Sequence, residues 1–323
     1  MASETKKQPL LMKQKPMFQV VYALLPLVGA SVYLFGWRSL VVLLVVNLFG
    51  FLSEYAFARI YKQQVSSAVF VTNFLFALSL PPAIPLWIAA VGIVFGIVFG
   101  KMVFGGFGRN VFNPAISGRA FVYVSFGVPL TTGFAPPVGG FPGGLAAWSS
   151  AVDAVGKATP LLDLGGGGTV PILDLLLGTT AGSMGETCAV LILIGGAYLM
   201  YKKTANFRLS LGCVAGFVLL QGILWLAGTE GAADPLRGLL SGSILFGAMF
   251  MATDPVSASQ TTNGGRWIYG LLIGALTSLI RTFSVWPEGL TFAILLANMF
   301  APLLDHLLKE RRKARQAKAE AAS

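Results

Sequence analysis

Eight ionisable side chains stand in or beside long apolar runs: Glu54, Arg119, Glu186, Asp254, Arg281, Glu288, Asp305 and His306. A charge at membrane depth is costly, and it marks ion passage, proton relay or a bound ligand. The carboxylates are hard oxygen ligands that suit a small cation such as Na+, and a carboxylate beside a helix break can also relay protons. Arg281 and Glu288 are close in sequence and read equally as a mutually neutralising pair. His306, next to Asp305, reads as an interfacial residue.

Two polar stretches offer other chemistry. Gly182-Ser183-Met184-Gly185-Glu186-Thr187 opens an apolar run, where the free N–H groups of a helix N-terminus attract phosphate. Ser183 and Glu186 also have the spacing of a plain capping box. The stretch from Val152 to Leu161 sets Asp153, Lys157 and Thr159 in a Gly- and Pro-rich segment, and by itself it reads as a solvated turn. Cys188 and Cys213 sit in separate apolar runs and read as small buried hydrophobes, not as a metal site. No nucleotide-binding glycine fingerprint, zinc motif or nucleophile elbow is present.

The elements that hold these groups must be membrane helices. The chain of 323 residues is 55% hydrophobic and 11% charged, against about 25% charged in soluble domains. Its apolar runs of roughly 14 to 20 residues approach the length that crosses a hydrocarbon core as helix. They do not alternate as barrel strands would. The expectation is an all-α integral membrane protein of about ten transmembrane helices. The net charge of +10 comes from residues in tails and short loops, which argues for membrane orientation and against a nucleic-acid partner.

Laid along the chain, this predicts a cytoplasmic tail over 1–17, five spans over 18–128, an outward-facing loop over 129–182, five spans over 183–308 and a basic cytoplasmic tail over 309–323. Both termini are then cytoplasmic. Of 23 Lys and Arg residues, only Arg38, Lys157, Arg237 and Arg281 fall outside in this scheme. Asn73 to Pro82 resembles Ser243 to Pro255, and Trp87 leads to Lys101 as Trp267 leads to Arg281. The halves therefore read as two inverted five-helix repeats with broken helices around a central site.

Six motifs now carry a resemblance along nearly the whole chain. They are Gly105 to Ala115, Gly118 to Phe121, Gly182 to Thr187, Phe250 to Ser259, Pro287 to Gly289, and Phe300 to His306. In this order they resemble the NqrB/RnfD family, membrane subunits of the Na+-translocating NADH:quinone oxidoreductase and of the Rnf ferredoxin:NAD oxidoreductase. The resemblance implies a translocase subunit in a bacterial inner membrane that relays electrons across it, coupled to Na+ or H+ transport. It implies covalent FMN, joined by a phosphodiester to Thr159 on the outer side by a flavin transferase. Asp153 matches the leading residue of the attachment pattern, and Gly156 stands where a Ser or Thr is usual.

The same resemblance implies a second flavin, non-covalent riboflavin, for which Asn113 and Arg119 are candidate contacts. Ser183, Gly185, Glu186 and Arg281 are candidates near the FMN, and Glu54, Asp254, Glu288 and Asp305 match acidic positions of the ion path. Other membrane and peripheral subunits, and quinone in the Nqr branch, are the implied partners. Two other functions fit an inverted repeat from the residues alone: a channel or carrier for a small solute, and a structural membrane subunit with no cofactor.

Overall fold

The computed structural model describes residues 9–150, 159–259, 261–284 and 288–320. Asp153, Gly156 and Lys157 lie outside them. The helices in chain order are α1 (Lys15–Phe35), α2 (Arg38–Ile60), α3 (Ala68–Leu78), α4 (Leu86–Ile97), α5 (Pro114–Ser125), α6 (Gly127–Thr132), α7 (Pro160–Gly165), α8 (Ile172–Leu177), α9 (Ala189–Tyr201), α10 (Phe207–Leu226), α11 (Pro235–Leu240), α12 (Ile244–Phe246), α13 (Asn263–Phe283) and α14 (Leu290–Glu320). Strands β1 (Leu11–Met12) and β2 (Val65–Ser66) make one short parallel pair. π-helical turns at Val98–Met102 and Gly247–Met251 extend α4 and α12.

The protein is a multi-pass membrane protein, but ten spans are not found among the described residues. Among the described residues four helices are long and apolar enough to cross a membrane: Lys15–Phe35, Arg38–Ile60, Phe207–Leu226 and Leu290–Ala314. Three shorter apolar helices accompany them, Ala68–Leu78, Leu86–Met102 and Ala189–Tyr201. The expected pair of inverted five-helix repeats is not apparent either. Ser243 to Pro255 forms a three-residue helix and a π turn, whereas its supposed counterpart, Asn73 to Pro82, begins inside the regular helix α3 and runs past its end. The Trp87 segment breaks into a π turn at Lys101, while the Trp267 segment is one regular helix of 21 residues.

The reason is burial by protein. Phe76, Ala77 and Leu78 in α3, and Phe246 and Ala248 beyond it in sequence, are enclosed by the core. A run of 10 to 14 apolar residues is as consistent with a core helix as with a span. Conversely, α13 begins with Asn263 and Arg266 and carries Arg281, so its apolar surface is a stripe and not a full circumference.

Glycines set the two closest helix crossings. On α10 and α13, Gly212, Gly216, Gly270 and Gly274 face backbone directly: a Cβ on Gly274 would lie 2.0 Å from the Cys213 carbonyl oxygen, and one on Gly216 2.3 Å from that of Leu271. Small residues spaced by four let membrane helices approach in this way. On α4, a Cβ at Gly96 would lie 2.5 Å from the Pro114 carbonyl oxygen, so α5 is pressed against α4 at its start. That start is well specified. Asn113 is the N-cap, its side-chain oxygen accepting from the Ala115 amide at 3.0 Å, and Pro114 follows where no donor is needed.

Candidate functional site

Two cavities lie along α5. The smaller, about 130 Å³, is lined by Thr159 and Pro160 at the head of α7, by Gly182, Ser183, Glu186 and Thr187, by Ser241 and Gly242, and by Tyr123 and Glu288. The larger, about 500 Å³, is lined by Lys101, Phe107, Asn110, Asn113, Thr72, Phe250, Asp254 and the loop lysines Lys202 and Lys203. Asn113 and Tyr123 are ten residues apart on or beside one helix, about 15 Å at 1.5 Å per residue. One rigid element thus borders both chambers.

The 182–187 stretch does not open a helix. It forms a turn ahead of α9, whose N-cap is Cys188, and the capping box between Ser183 and Glu186 is not made. Its amides go elsewhere: Met184 donates to the Leu80 carbonyl at 3.0 Å and Gly185 to that of Leu78 at 2.7 Å. These bonds satisfy carbonyls left free where α3 ends, as membrane depth demands. Gly185 backs onto Leu78, where a Cβ would come within 2.7 Å of the Leu78 Cβ. The Ser183 hydroxyl is buried beside the Glu186 carboxylate.

Arg119, 1% exposed, sits behind the smaller cavity between two carboxylates. Its Nη2 donates to Glu288 Oε1 at 2.5 Å and its Nε to Glu288 Oε2 at 3.2 Å, while Nη1 lies 3.1 Å from Glu186 Oε1. Arg281 does not take the Glu288 carboxylate. Its guanidinium donates to the backbone carbonyls of Glu288 (3.1 Å), Gly238 (2.8 Å) and Ser241 (3.2 Å) and lies over the Phe217 ring. Its charge still reaches both carboxylates, so two arginines balance two glutamates.

At the larger cavity Lys101 pairs with Glu54 at 2.6 Å, and Glu54 also accepts from the Ser66 amide at 3.0 Å. Asp254 accepts from the Ser257 hydroxyl at 2.6 Å and the Val256 amide at 3.2 Å. Asn113 ties three elements together: its backbone amide donates to Asn298 Oδ1 at 3.1 Å and its side chain to the Met251 carbonyl at 3.4 Å. Asp305 stands apart, accepting from Ser259 at 2.5 Å and Thr261 at 2.6 Å, with His306 exposed beside it. Cys188 and Cys213 are free and buried.

The structure therefore gathers Thr159, Ser183, Glu186, Glu288, Arg119 and Arg281 at one cavity and Asn113, Asp254 and Glu54 at the other. In the sequence Lys101 read as the counterpart of Arg281 in the supposed repeat and not as a site residue. Its position inside an apolar run was the signal that it belonged with the ionisable groups.

Sequence comparison matches residues 8–314 to the profile described as "NQR2, RnfD, RnfE family". The chain belongs to this family. It is 42% identical over 280 residues to a Na(+)-translocating NADH-quinone reductase subunit of Ectopseudomonas mendocina (strain ymp), covering 81% of this chain and 66% of that protein. It is 38% identical over 303 residues to the protein of the same name in Klebsiella pneumoniae (strain 342), covering 87% of this chain and 72% of that one. The chain thus spans 66% of the length of the first of these relatives. Every residue named as lining the two cavities falls within the family match.

Proposed function

We propose that this chain is the membrane subunit of an Rnf/Nqr-type ion-translocating redox complex, carrying FMN on Thr159 and relaying electrons across the membrane with Na+ or H+ movement. The observation that carries the reading is the meeting at one cavity of Thr159 and the Ser183–Glu186 turn, near each other in the chain, with Glu288, far from both. Thr159 is the N-cap residue of α7, yet its hydroxyl makes no cap hydrogen bond, which leaves it available for a phosphodiester. The cavity chemistry fits a bound flavin nucleotide. The Ser183 hydroxyl on the lining offers a polar contact, Arg119 and Arg281 supply positive charge behind the wall, and Leu161, Leu162 and Leu175 supply apolar surface.

Riboflavin is assigned to the larger cavity, where Asn110 and Asn113 offer amide groups and Phe107 and Phe250 offer ring surface. A bound flavin supplies the redox chemistry, and the residues bind, orient and shield it. Glu54, Asp254, Glu288 and Asp305 are the carboxylates of the ion path in this reading. The loop over 129–182 faces the outer side and both ends of the chain lie in the cytoplasm. The relatives' description as a subunit of a Na+-translocating NADH-quinone reductase supports partner subunits and quinone as the complex's context.

The test is covalent flavin on the purified chain, read by in-gel fluorescence and peptide mass after co-expression with a flavin transferase. An FMN increment is expected on the Thr159 peptide of the native chain and none in Thr159→Val. A native chain without flavin, beside a control substrate that the same transferase modifies, rejects the attachment.

A further inference from the structure

Lys101 is a buried cation on the wall of the larger cavity to which the electron-carrying role gives no task. It is 2% exposed, it pairs with Glu54 at 2.6 Å, and it lies on the cavity wall. A buried ion pair at best breaks even unless its remaining protons are also satisfied. This one falls short. An ammonium has three donors; among the described residues one reaches Glu54 Oε2, and beyond it Lys101 has only the Phe107 ring, 5.7 Å away.

The ammonium is also placed to move. Lys101 lies in the π-helical turn Val98–Met102, a kind of irregularity that recurs at functional sites. Asp254 follows the other π turn, Gly247–Met251, and lines the same cavity. Its carboxylate is held by a hydroxyl and an amide and has no cationic hydrogen-bond partner among the described residues, although the charge of Lys101 reaches it. Lys101 thus pairs with one carboxylate and shares a cavity wall with a second. A lysine can change partners because its charge is compact and sits on a four-carbon stem, whereas an arginine fork would be fixed by its geometry.

The geometry points to Lys101 as a tethered cation that holds the Glu54 position of the ion path and swings to Asp254 when a mobile cation takes that position. The inference rests on the ion-path reading of Glu54 and Asp254. Without the mobile ion the three groups carry a net charge of −1, Lys101 pairing with Glu54 while a hydroxyl and an amide hold Asp254; the arriving ion brings the set to zero, neutralising Glu54 while Lys101 neutralises Asp254, and its departure draws Lys101 back. The lysine competes with the transported ion and also prevents the emptied carboxylate from standing uncompensated.

Two measurements on the purified full-length chain in detergent test this. In the first, thermal unfolding is followed in NaCl and in choline chloride at equal ionic strength. Lys101→Met is expected to lower the NaCl concentration for half-maximal stabilisation on the order of tenfold relative to the native chain. The added substitution Glu54→Gln is expected to abolish the Na+-specific response. An identical NaCl response in the native chain and Lys101→Met, or one that survives the double substitution, overturns the proposal.

The second is a double-substitution cycle, which does not require Lys101→Met to fold. Glu54→Gln and Asp254→Asn each leave Lys101 one carboxylate, so the pair together should lower Tm by clearly more than the sum of the two alone. Additive losses overturn the swap. Na+ and H+ transport by the assembled complex separates the two ideas. Unchanged transport in both single variants removes the ion-path reading and the proposal with it, whereas impaired transport with additive Tm losses sinks the swap alone.

Discussion

Arg119→Met is expected to lower the stability of the protein by about 3–5 kcal/mol, the usual loss when one partner is removed from a buried ion pair. Two carboxylates are stranded here instead of one, since Glu186 and Glu288 both lose their contact with the guanidinium. Arg281 does not compensate, because its donors are committed to the carbonyls of Gly238, Ser241 and Glu288. Thermal unfolding of the purified chain in detergent reads the loss. Neutralising both carboxylates in the same background, Glu186→Gln with Glu288→Gln, is expected to recover most of it. Arg119→Lys should remain impaired, as an ammonium cannot span Glu288 in a fork and touch Glu186 as well. A methionine variant as stable as the native chain would show that the triad contributes nothing to the fold.

Gly274→Val should be damaging for a different reason. The added Cβ would stand 2.0 Å from the Cys213 oxygen and 2.4 Å from the Phe217 nitrogen, and both are backbone atoms that cannot rotate away. Overpacking a core commonly costs about 1–3 kcal/mol, and a backbone clash lies at or beyond the upper end. The expected outcome is a separated α10–α13 crossing, seen as a lowered Tm and as loss of a disulfide engineered across that crossing. Gly264→Ala on the same helix meets nothing within 4 Å and serves as the control. Equal Tm for the two variants would mean that α10 and α13 do not touch as described.

The long helices were legible because a span needs an uninterrupted apolar circumference. The apolar stretch from Ser39 to Ala58, long enough to span, lies within α2, Arg38–Ile60. The run from about Leu239 to Ala252, of similar composition to a short span, instead contributes the end of α11, a three-residue helix and a π turn. Apolar composition records burial and does not distinguish lipid from protein as the covering. The site was legible as a set of residue types and not as a set of pairs. Arg281 and Glu288 suggested each other by proximity in the chain, yet the carboxylate of Glu288 went to Arg119, 169 residues earlier. Membrane charges pair by depth and by helix face, and neither is written in sequence separation. That Thr159 would meet the 182–187 stretch was better signposted, since few residues separate them.

The same separation of 169 residues has a meaning for how the protein is made. Synthesis runs from the N-terminus, so Arg119 enters the bilayer long before Glu288 exists. Until then its guanidinium is a partly neutralised charge at membrane depth, a state that is costly and poorly retained in lipid. Glu186 arrives first and Glu288, just ahead of α14, arrives last. A chain halted before Glu288 has only Glu186 to balance Arg119, and the wall beside Thr159 closes only when Glu288 has been delivered.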